Sequence, residues 1–581
     1  MATAEDGVCR VDVAIVGGGP AGLATALALR RVLEPGVTIA VYESRLPGDT
    51  GSGLEMAKNG LRALEAISPK LLHSFYEAGD YQLCFNHHHE ETGELVSSFN
   101  LQPMCAAQRA AGALPPLKMR WWYITRVLEQ ALPEGILRYG HKLVECVELA
   151  EECRAASVSP AGEAADAPAA APESAVDGYR YQLSFRHAAP SEETDTGLAT
   201  ADHGTAATAV TTVMAKWLVG ADGGYSRVRR TVGDGRAPTF LGTFSWWGSA
   251  TEAQLAAAGA DWPLPLRGPR QPITRNATYM PPGNRLSTTG ARNLLTFRTP
   301  PCEGPGAVDG DEGAGRDVAL WYMESQSAAM AAEGVDPSPE GPILRHAAAD
   351  GGAVALARAL RMASHLPPDV RAFIAATPPQ RVLEKALHSH PLDQQEHSSW
   401  TNGRGLVLVG DAVHASGRPD GQGGNLAFED AACLAAHVRR HGLGQQAFDA
   451  FAAARRPRVT AIRGDCKPPF AVRKALVDGS MFEPLWGPQD LPSKAELEGE
   501  LLPELGASQN AEEAGHGHSS AGTISEELKR KVLAWSLRRC WAIADRRTGG
   551  LMLAVPAAEQ VVETEQKVQP EKQAMTASVR A

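Results

Sequence analysis

The segment Gly17 to Gly22 restricts this chain more than any other feature, because it joins a short apolar run, Val11 to Val16, to an Ala/Leu-rich helical stretch, Leu23 to Leu33. A second strand-like run, Val37 to Tyr42, follows, so the segment reads as the turn of a strand–helix–strand unit. Within it Gly17, Gly19 and Gly22 have G-x-G-x-x-G spacing, and Glu43 closes the second strand. Each position has a physical reason: Gly17 permits a tight turn, Gly19 lets backbone approach a diphosphate, and Gly22 allows close helix–sheet packing. The helix N-terminus favours the anion, and Glu43 is placed to accept hydrogen bonds from adenosine ribose hydroxyls. A dinucleotide site is expected, but the turn alone does not separate FAD from NAD.

Two later segments bear on that choice. WLVGADGGYSRVRR, Trp217 to Arg230, resembles the G-A-D-G-x-x-S-x-V-R segment of class A flavoprotein monooxygenases, the group that includes p-hydroxybenzoate and salicylate hydroxylases. GRGLVLVGDAVHASGRPDGQGGNLAFEDAACLA, Gly403 to Ala435, resembles the same family's G-D-A-x-H segment and the helix start behind it. The three segments occur in the family's order. The likeness extends to Gly51–Leu64, Ile124–Leu132 and Phe451–Val459, and so spans most of residues 10–465.

The resemblance implies FAD as cofactor, NADPH or NADH as co-substrate, and oxygen transfer through a flavin C4a-hydroperoxide. The substrate expected is a small aromatic or polyketide-like molecule of secondary metabolism, hydroxylated or epoxidised. Carried over residue by residue, it implies that Asp411 binds the ribityl chain and that Gly423, Gly424 and Asn425 lie at a helix N-terminus against the flavin. Arg126 and Gly53 match cofactor-side positions, and Asp222 with Gly223 match a pair tied to FAD and reduced nicotinamide. Trp246, Trp247 and Tyr322 are candidates for an aromatic substrate wall, with core packing the competing reading. No general base is identifiable.

Two departures stand out. Arg418 occupies a position where the family usually has proline, and Ser389-His390-Pro391-Leu392 replaces a stretch that often carries arginine. His414 reads as structural, and Arg229 as divided between a functional role and capping its turn. His87, His88 and His89 invite a metal reading, but adjacent strand residues cannot converge from one face, so an exposed hairpin and no metal are expected.

The predicted fold is α/β: a discontinuous Rossmann-like FAD-binding domain, an interleaved antiparallel-sheet substrate domain and a helical C-terminal extension. The FAD-binding domain is assigned to 1–80, 123–150, 213–235 and 400–465, and the substrate domain to 81–122 and 236–399. Residues 151–212 read as a partly disordered insertion, and 466–581 as the extension with a linker at 503–523. Residues 525–545 form an amphipathic basic helical pattern, which packing on its own domain or weak membrane-surface contact would explain.

A net charge of −11 argues against a nucleic-acid partner. Nine scattered cysteines suit a reducing compartment, and with a strand beginning at Val11 and no apolar span of about 20 residues, a cytoplasmic protein is expected. Two other functions share these motifs: an FAD-dependent reductase or halogenase, and a non-catalytic flavin-binding interaction protein.

Overall fold

The computed structural model describes residues 8–45, 53–81, 84–100, 116–149, 178–187, 210–232, 237–267, 276–280, 293–299, 318–338, 352–390, 400–416 and 421–463. Strand β1 (Cys9–Val16) feeds helix α1 (Pro20–Val32), which Gly19 opens in extended conformation with Pro20 at the first helical position. Arg30 and Arg31 fall in the last turn, where cations oppose the helix dipole, and Arg30 also donates to the carbonyls of Leu33 and Val37. The chain continues through β2 (Ile39–Tyr42), β3 (Gly53–Met56), α2 (Lys58–Ile67) and α3 (Pro69–Ala78). Next come β4 (Asp80–Tyr81), β5 (Cys84–His89), β6 (Leu95–Asn100), β7 (Leu117–Arg120) and α4 (Trp121–Ala131). β8 (Leu137–Arg138), β9 (His141–Glu148), β10 (Tyr181–His187) and β11 (Val210–Gly220) complete this half.

Six of these strands and one later strand build the first sheet, in the order β8-β2-β1-β11-β10-β9, with the later, short β17 (Leu406–Leu408) also on β11. β8, β2, β1, β11 and β17 are mutually parallel, whereas β9 and β10 extend the sheet antiparallel. Val11 and Val13 to Val16 are all buried, as expected where a parallel strand is covered on both faces. α1 packs against the later helix α10 (Gln422–His441) in the same apolar core. β10 lies inside the stretch expected to be an insertion. That expectation is corrected for residues 181–187, because the alternating Tyr181, Leu183 and Phe185 bury one strand face in the core.

The second sheet runs β16-β12-β15-β14-β13-β5-β6 and is antiparallel except where β13 meets β5. Its members are β12 (Thr239–Thr251), β13 (Asn276–Met280), β14 (Asn293–Thr299), β15 (Val318–Gln326) and β16 (Leu383–Ser389), joined to the earlier β5 and β6. Helices α5 (Glu252–Ala257) and α6 (Ser327–Ala332) follow β12 and β15, and α7 (Ala353–Met362) and α8 (Pro368–Ala375) supply apolar residues to this second core. A small third sheet, β3-β7-β4, lies apart from both. The last elements are α9 (Asp411–His414), α10 and α11 (Gln445–Arg463). The proposed extension at 466–581, including 503–523 and 525–545, lies outside the described residues. No helix among the described residues is long and apolar enough to cross a membrane.

Candidate functional site

β1 ends where its two parallel neighbours also end, with Val16 paired to Tyr42 on one side and Gly220 on the other. Gly17 turns there at φ +110° and donates its N–H to the Tyr42 carbonyl at 2.8 Å. A Cβ on Gly17 would lie 2.3 Å from the Ala221 carbonyl oxygen, and one on Gly22 would lie 1.9 Å from the Gly17 carbonyl oxygen. Backbone therefore touches backbone at both ends of the turn. Gly19 differs: a Cβ there would meet nothing within 4 Å, so the space before the α1 N-terminus is open. A helix N-terminus facing an open cradle suits a diphosphate.

Glu43 is buried at the end of β2. One carboxylate oxygen accepts from the Gly18 N–H at 2.7 Å and the other from the Arg45 N–H at 2.8 Å. The oxygen on the Arg45 side also accepts from the Ser44 hydroxyl at 3.2 Å and from Arg45 Nε at 3.4 Å, so with about two acceptor positions per carboxylate oxygen it is the oxygen on the Gly18 side that retains capacity for a ribose hydroxyl. Arg126 on α4 pairs with Glu129 at 2.9 Å and lies 5.8 Å from the Trp122 ring centre. Its Nε has no hydrogen-bond partner among the described residues. Burial raises the pKa of Tyr139, reinforced by Glu129 and Glu43 and opposed by Arg126.

Asp222 follows β11. Its carboxylate accepts from the Ser226 hydroxyl, from the Arg227 N–H at 2.7 Å and from the Val228 N–H at 3.2 Å, which organises the turn that includes Gly223 at φ +80°. Burial raises the Asp222 pKa against these bonds. Buried Arg229 donates to the carbonyls of Ala412 and Val413, at 3.2 and 3.0 Å, and thereby ties this turn to α9.

Asp411 begins α9 with its side chain 43% exposed, and Arg463 lies 3.8 Å away. Burial would raise its pKa, but the charges of Lys385, Arg463, His414 and His390 hold it below the usual carboxylate value. Buried Arg463 keeps two guanidinium nitrogens without a hydrogen-bond partner among the described residues. A Cβ on Gly423, in the first turn of α10, would sit 3.4 Å from Arg463 and 3.9 Å from Asp411. Gly424 packs on Leu54, one residue beyond Gly53, which opens β3 opposite Arg120. The Asn425 side chain accepts from the Ala57 N–H and donates to the carbonyls of Glu55 and Gly421, so it ties α10 to the β3–α2 connection.

Behind these residues lies a charged cluster that the family pattern did not single out. Asp430 accepts from His414 at 2.7 Å, from the Gly410 N–H at 2.8 Å and from Arg455 at 2.7 Å, and Arg455 also pairs with Glu429 at 2.5 Å. His414 is completely buried in this cluster, which accounts for it structurally. The cations hold Glu429 and Asp430 below their ordinary pKa values even though burial pushes the other way. His390 donates its backbone N–H to the Ala415 carbonyl and contacts the Gly224 carbonyl through Nε2 at 2.7 Å. Arg418 and the rest of its loop lie outside the described residues.

The second sheet separates the three aromatic candidates. Neighbouring residues of a strand point to opposite faces, and Trp246 is fully buried in the helix-covered core, donating to Glu384 at 2.8 Å. Trp246 is therefore removed from the candidate substrate wall. Trp247 and Tyr322 pair across β12 and β15 on the other face, with ring centres 4.2 Å apart. That face also carries Ser245 and Glu324, which pair with each other, and Lys385, which pairs with Ser245. Burial raises the Glu324 pKa to about 7, and a hydrogen bond from Tyr322 opposes the shift. Glu324 and Lys385 belong to no motif; a charged residue two places from a tyrosine in the otherwise apolar β15 was the available signal. His87 meets Ser97 and His88 meets the Gly93 carbonyl, and among the described residues no group of three His, Cys, Asp or Glu could hold a metal.

Residues 10–263 match the model of the FAD binding domain family. A 96-residue stretch is 38% identical to a kynurenine 3-monooxygenase of Xanthomonas campestris pv. campestris (strain B100), covering 16% of this chain and 21% of that protein. A 72-residue stretch is 38% identical to FAD-dependent monooxygenase sor5 of Hypocrea jecorina (strain QM6a), covering 12% of this chain and 15% of that protein. The chain thus spans about a fifth or less of the length of these curated relatives. Among solved structures, Klebsiella pneumoniae HpxO complexed with FAD and uric acid aligns with TM-score 0.49 and 18% identity, over 91% of this chain and 97% of that one. The 2,6-dihydroxypyridine-3-hydroxylase of Arthrobacter nicotinovorans aligns with TM-score 0.49 and 16% identity, over 79% of this chain and 95% of that one.

Proposed function

From the match of residues 10–263 to the FAD binding domain family, we propose that this chain is a class A FAD-dependent monooxygenase that uses NADPH or NADH and O2 to insert one oxygen atom into a small, electron-rich organic substrate, an aromatic one in the first instance. The observation that carries the reading is a contact of the second sheet: β16, whose Lys385 shares a face with Trp247 and Tyr322, runs into His390, which meets the Gly224 carbonyl beside Asp222 at 2.7 Å. The sheet that carries the aromatic pair therefore abuts the turn that holds Asp222 and Gly223.

In this reading Gly17, Gly19 and Gly22 admit the diphosphate to the α1 N-terminus, Glu43 receives the ribose hydroxyls, and Arg126, on α4, is a further cofactor contact. Asp411 accepts from the ribityl hydroxyls, while Gly423 and Gly424 let the α10 N-terminus approach the ring. Asp222 and Gly223 shape the neighbouring turn where reduced nicotinamide would dock. Gly53 and Asn425 hold the β3 strand and α10 in register around that space. FAD bound there would supply the redox chemistry and activation of O2. The chain's part is to orient the substrate against Trp247 and Tyr322 and to exclude water from the transfer.

The test is a screen of phenols, quinols, indoles, polyketides and alkenes for substrate-stimulated oxidation of NADPH or NADH, with oxygen uptake and product mass followed together. A product heavier by one oxygen atom, formed with matching oxygen uptake, is expected. Substrate-stimulated nicotinamide oxidation without oxygen uptake would instead identify a reductase. Bound flavin that neither nicotinamide reduces would make the chain a flavin-binding interaction protein.

A further inference from the structure

The proposed reaction leaves a proton unassigned. A phenol attacks an electrophilic oxygen far better as its anion, so a site for such substrates gains from a base beside the ring hydroxyl. The base must lie on the aromatic face, be partly accessible from the cleft, and be held in one orientation.

Glu324 meets these conditions by its place in the sheet. Directly opposed strand residues point to the same face, so the pairings Ser245–Glu324 and Ser245–Lys385 set three polar side chains in one row across β15, β12 and β16. At about 4.8 Å between strands, Glu324 and Lys385 are roughly 10 Å apart with Ser245 between them. The neighbouring row holds Trp247 and Tyr322 in ring contact. Tyr322, two residues along the same strand, is near enough for its hydroxyl to favour the charged form of the Glu324 carboxylate. The carboxylate is half-buried beside the Trp247–Tyr322 pair, on the same sheet face as Lys385. The opposite face already has its own buried carboxylate, Glu384, but that group is taken up by Trp246 and Arg358.

We infer that Glu324 is the catalytic base that accepts the proton of an aromatic substrate's ring hydroxyl, with Tyr322 positioning its carboxylate and Trp247 packing against the ring. The inference rests on the oxygen-insertion reading and specifies its substrate as a hydroxylated aromatic. The substrate O–H bond breaks, an O–H bond forms on Glu324, and the electron pair left on oxygen is delocalised into the ring. The ring carbon beside it then takes one atom of O2, NAD(P)H provides the two electrons that reduce the other atom to water, and protons from solvent complete that water. The ring proton leaves as aromaticity returns, and the proton on Glu324 passes back to the product oxygen, so the carboxylate is regenerated.

Among the described residues, Glu324 is faced by Tyr322 on its own strand and by Ser245 on β12 with Lys385 one strand further on β16, and on its other side it pairs with position 293 of β14. Burial places the carboxyl near pH 7, where a base can both accept and return a proton. Below that value it is protonated and cannot serve.

The experiment uses the full-length protein loaded with FAD and two readouts. Turnover of hydroxylated aromatics is followed against pH, and p-nitrophenol, whose neutral and anionic forms absorb at different wavelengths, reports the ionisation of a bound phenol. Wild type is expected to lose turnover below a midpoint near pH 7 and to bind p-nitrophenol as the anion. Glu324→Gln is expected to lose this midpoint, to bind p-nitrophenol in its neutral form, and to slow turnover by roughly 100-fold or more, with partial rescue in Glu324→Asp. Turnover and nitrophenol ionisation like wild type in the Gln protein would overturn the assignment while leaving the oxygen-insertion reading intact. A wild type that oxygenates only substrates without a ring hydroxyl would also overturn it, and one that oxygenates nothing in the panel would remove both. Should the Gln protein not retain flavin, Tyr322→Phe decides: loss of the hydroxyl that favours the carboxylate should move the turnover midpoint upward, and an unmoved midpoint counts against the inference.

Discussion

Gly17, Gly19 and Gly22 share one residue type and one turn, yet they have different physical jobs, and substitution separates them. Gly22 has backbone oxygen 1.9 Å from where a Cβ would stand, whereas Gly19 adopts extended backbone and faces open space. Gly22→Ala must therefore push α1 off β1, and a destabilisation of about 3 kcal/mol or more is expected from chemical denaturation. Gly19→Val should fold with nearly unchanged stability and emerge colourless, because its side chain occupies the space offered to the diphosphate. Full yellow colour in purified Gly19→Val would show that the diphosphate does not pass there. The spacing of these glycines was legible in the sequence because backbone-to-backbone approach leaves a fixed pattern. Glu324 left none, since its role depends on three strands separated in the chain and brought into register only by the fold.

At the scale of elements, α10 and α11 are joined by charges rather than by apolar contacts alone. Arg455 is completely buried between Glu429 and Asp430, and Asp430 in turn holds His414 and the Gly410 N–H at the start of α9. The E-D-A run that contains Glu429 and Asp430 could be recognised from sequence. Its partner Arg455, 25 residues beyond Asp430, could not be assigned, because only the antiparallel return of α11 brings the two together. Arg455→Met would leave two buried carboxylates without their principal cation, at a cost of about 3–5 kcal/mol near neutral pH. The sign of the pH dependence follows from the direction of the shifts. In wild type both carboxyls have depressed pKa values, so the stability they contribute is present above their unfolded values and is lost as pH falls through the folded ones. In the variant the carboxyls are expected to bind protons more readily in the folded state, so its deficit should shrink between pH 7 and pH 4. Urea denaturation of both proteins across that range checks this, and a deficit independent of pH would mean that Arg455 acts through packing alone.

For the molecule as a whole, the question is how two separate apolar cores place one site between them. The cores themselves were partly legible, since each is built from strands with recognisable apolar runs, but their junction was not. It depends on His390, just beyond β16, which reaches the Gly224 and Ala415 carbonyls, and on the charge of Lys385 within β16, which acts on Asp411. In sequence these residues look like a departure from the family's arginine-bearing stretch, because nothing local reveals that His390 meets a turn 166 residues earlier. The consequence can be measured on the flavin. Burial alone would raise the pKa of Asp411, and Lys385 is the foremost of the charges that keep it low, so the carboxylate can accept from ribityl hydroxyls well into acid. Lys385→Met should raise that pKa and shift the pH at which flavin is released upward by roughly one unit. Flavin fluorescence recorded during a slow acid titration would read the shift, with circular dichroism confirming that the fold is retained at each step. If variant and wild type release flavin at the same pH while both remain folded, the second sheet does not tune the cofactor site through this charge, and the junction is held by His390 and apolar packing without it.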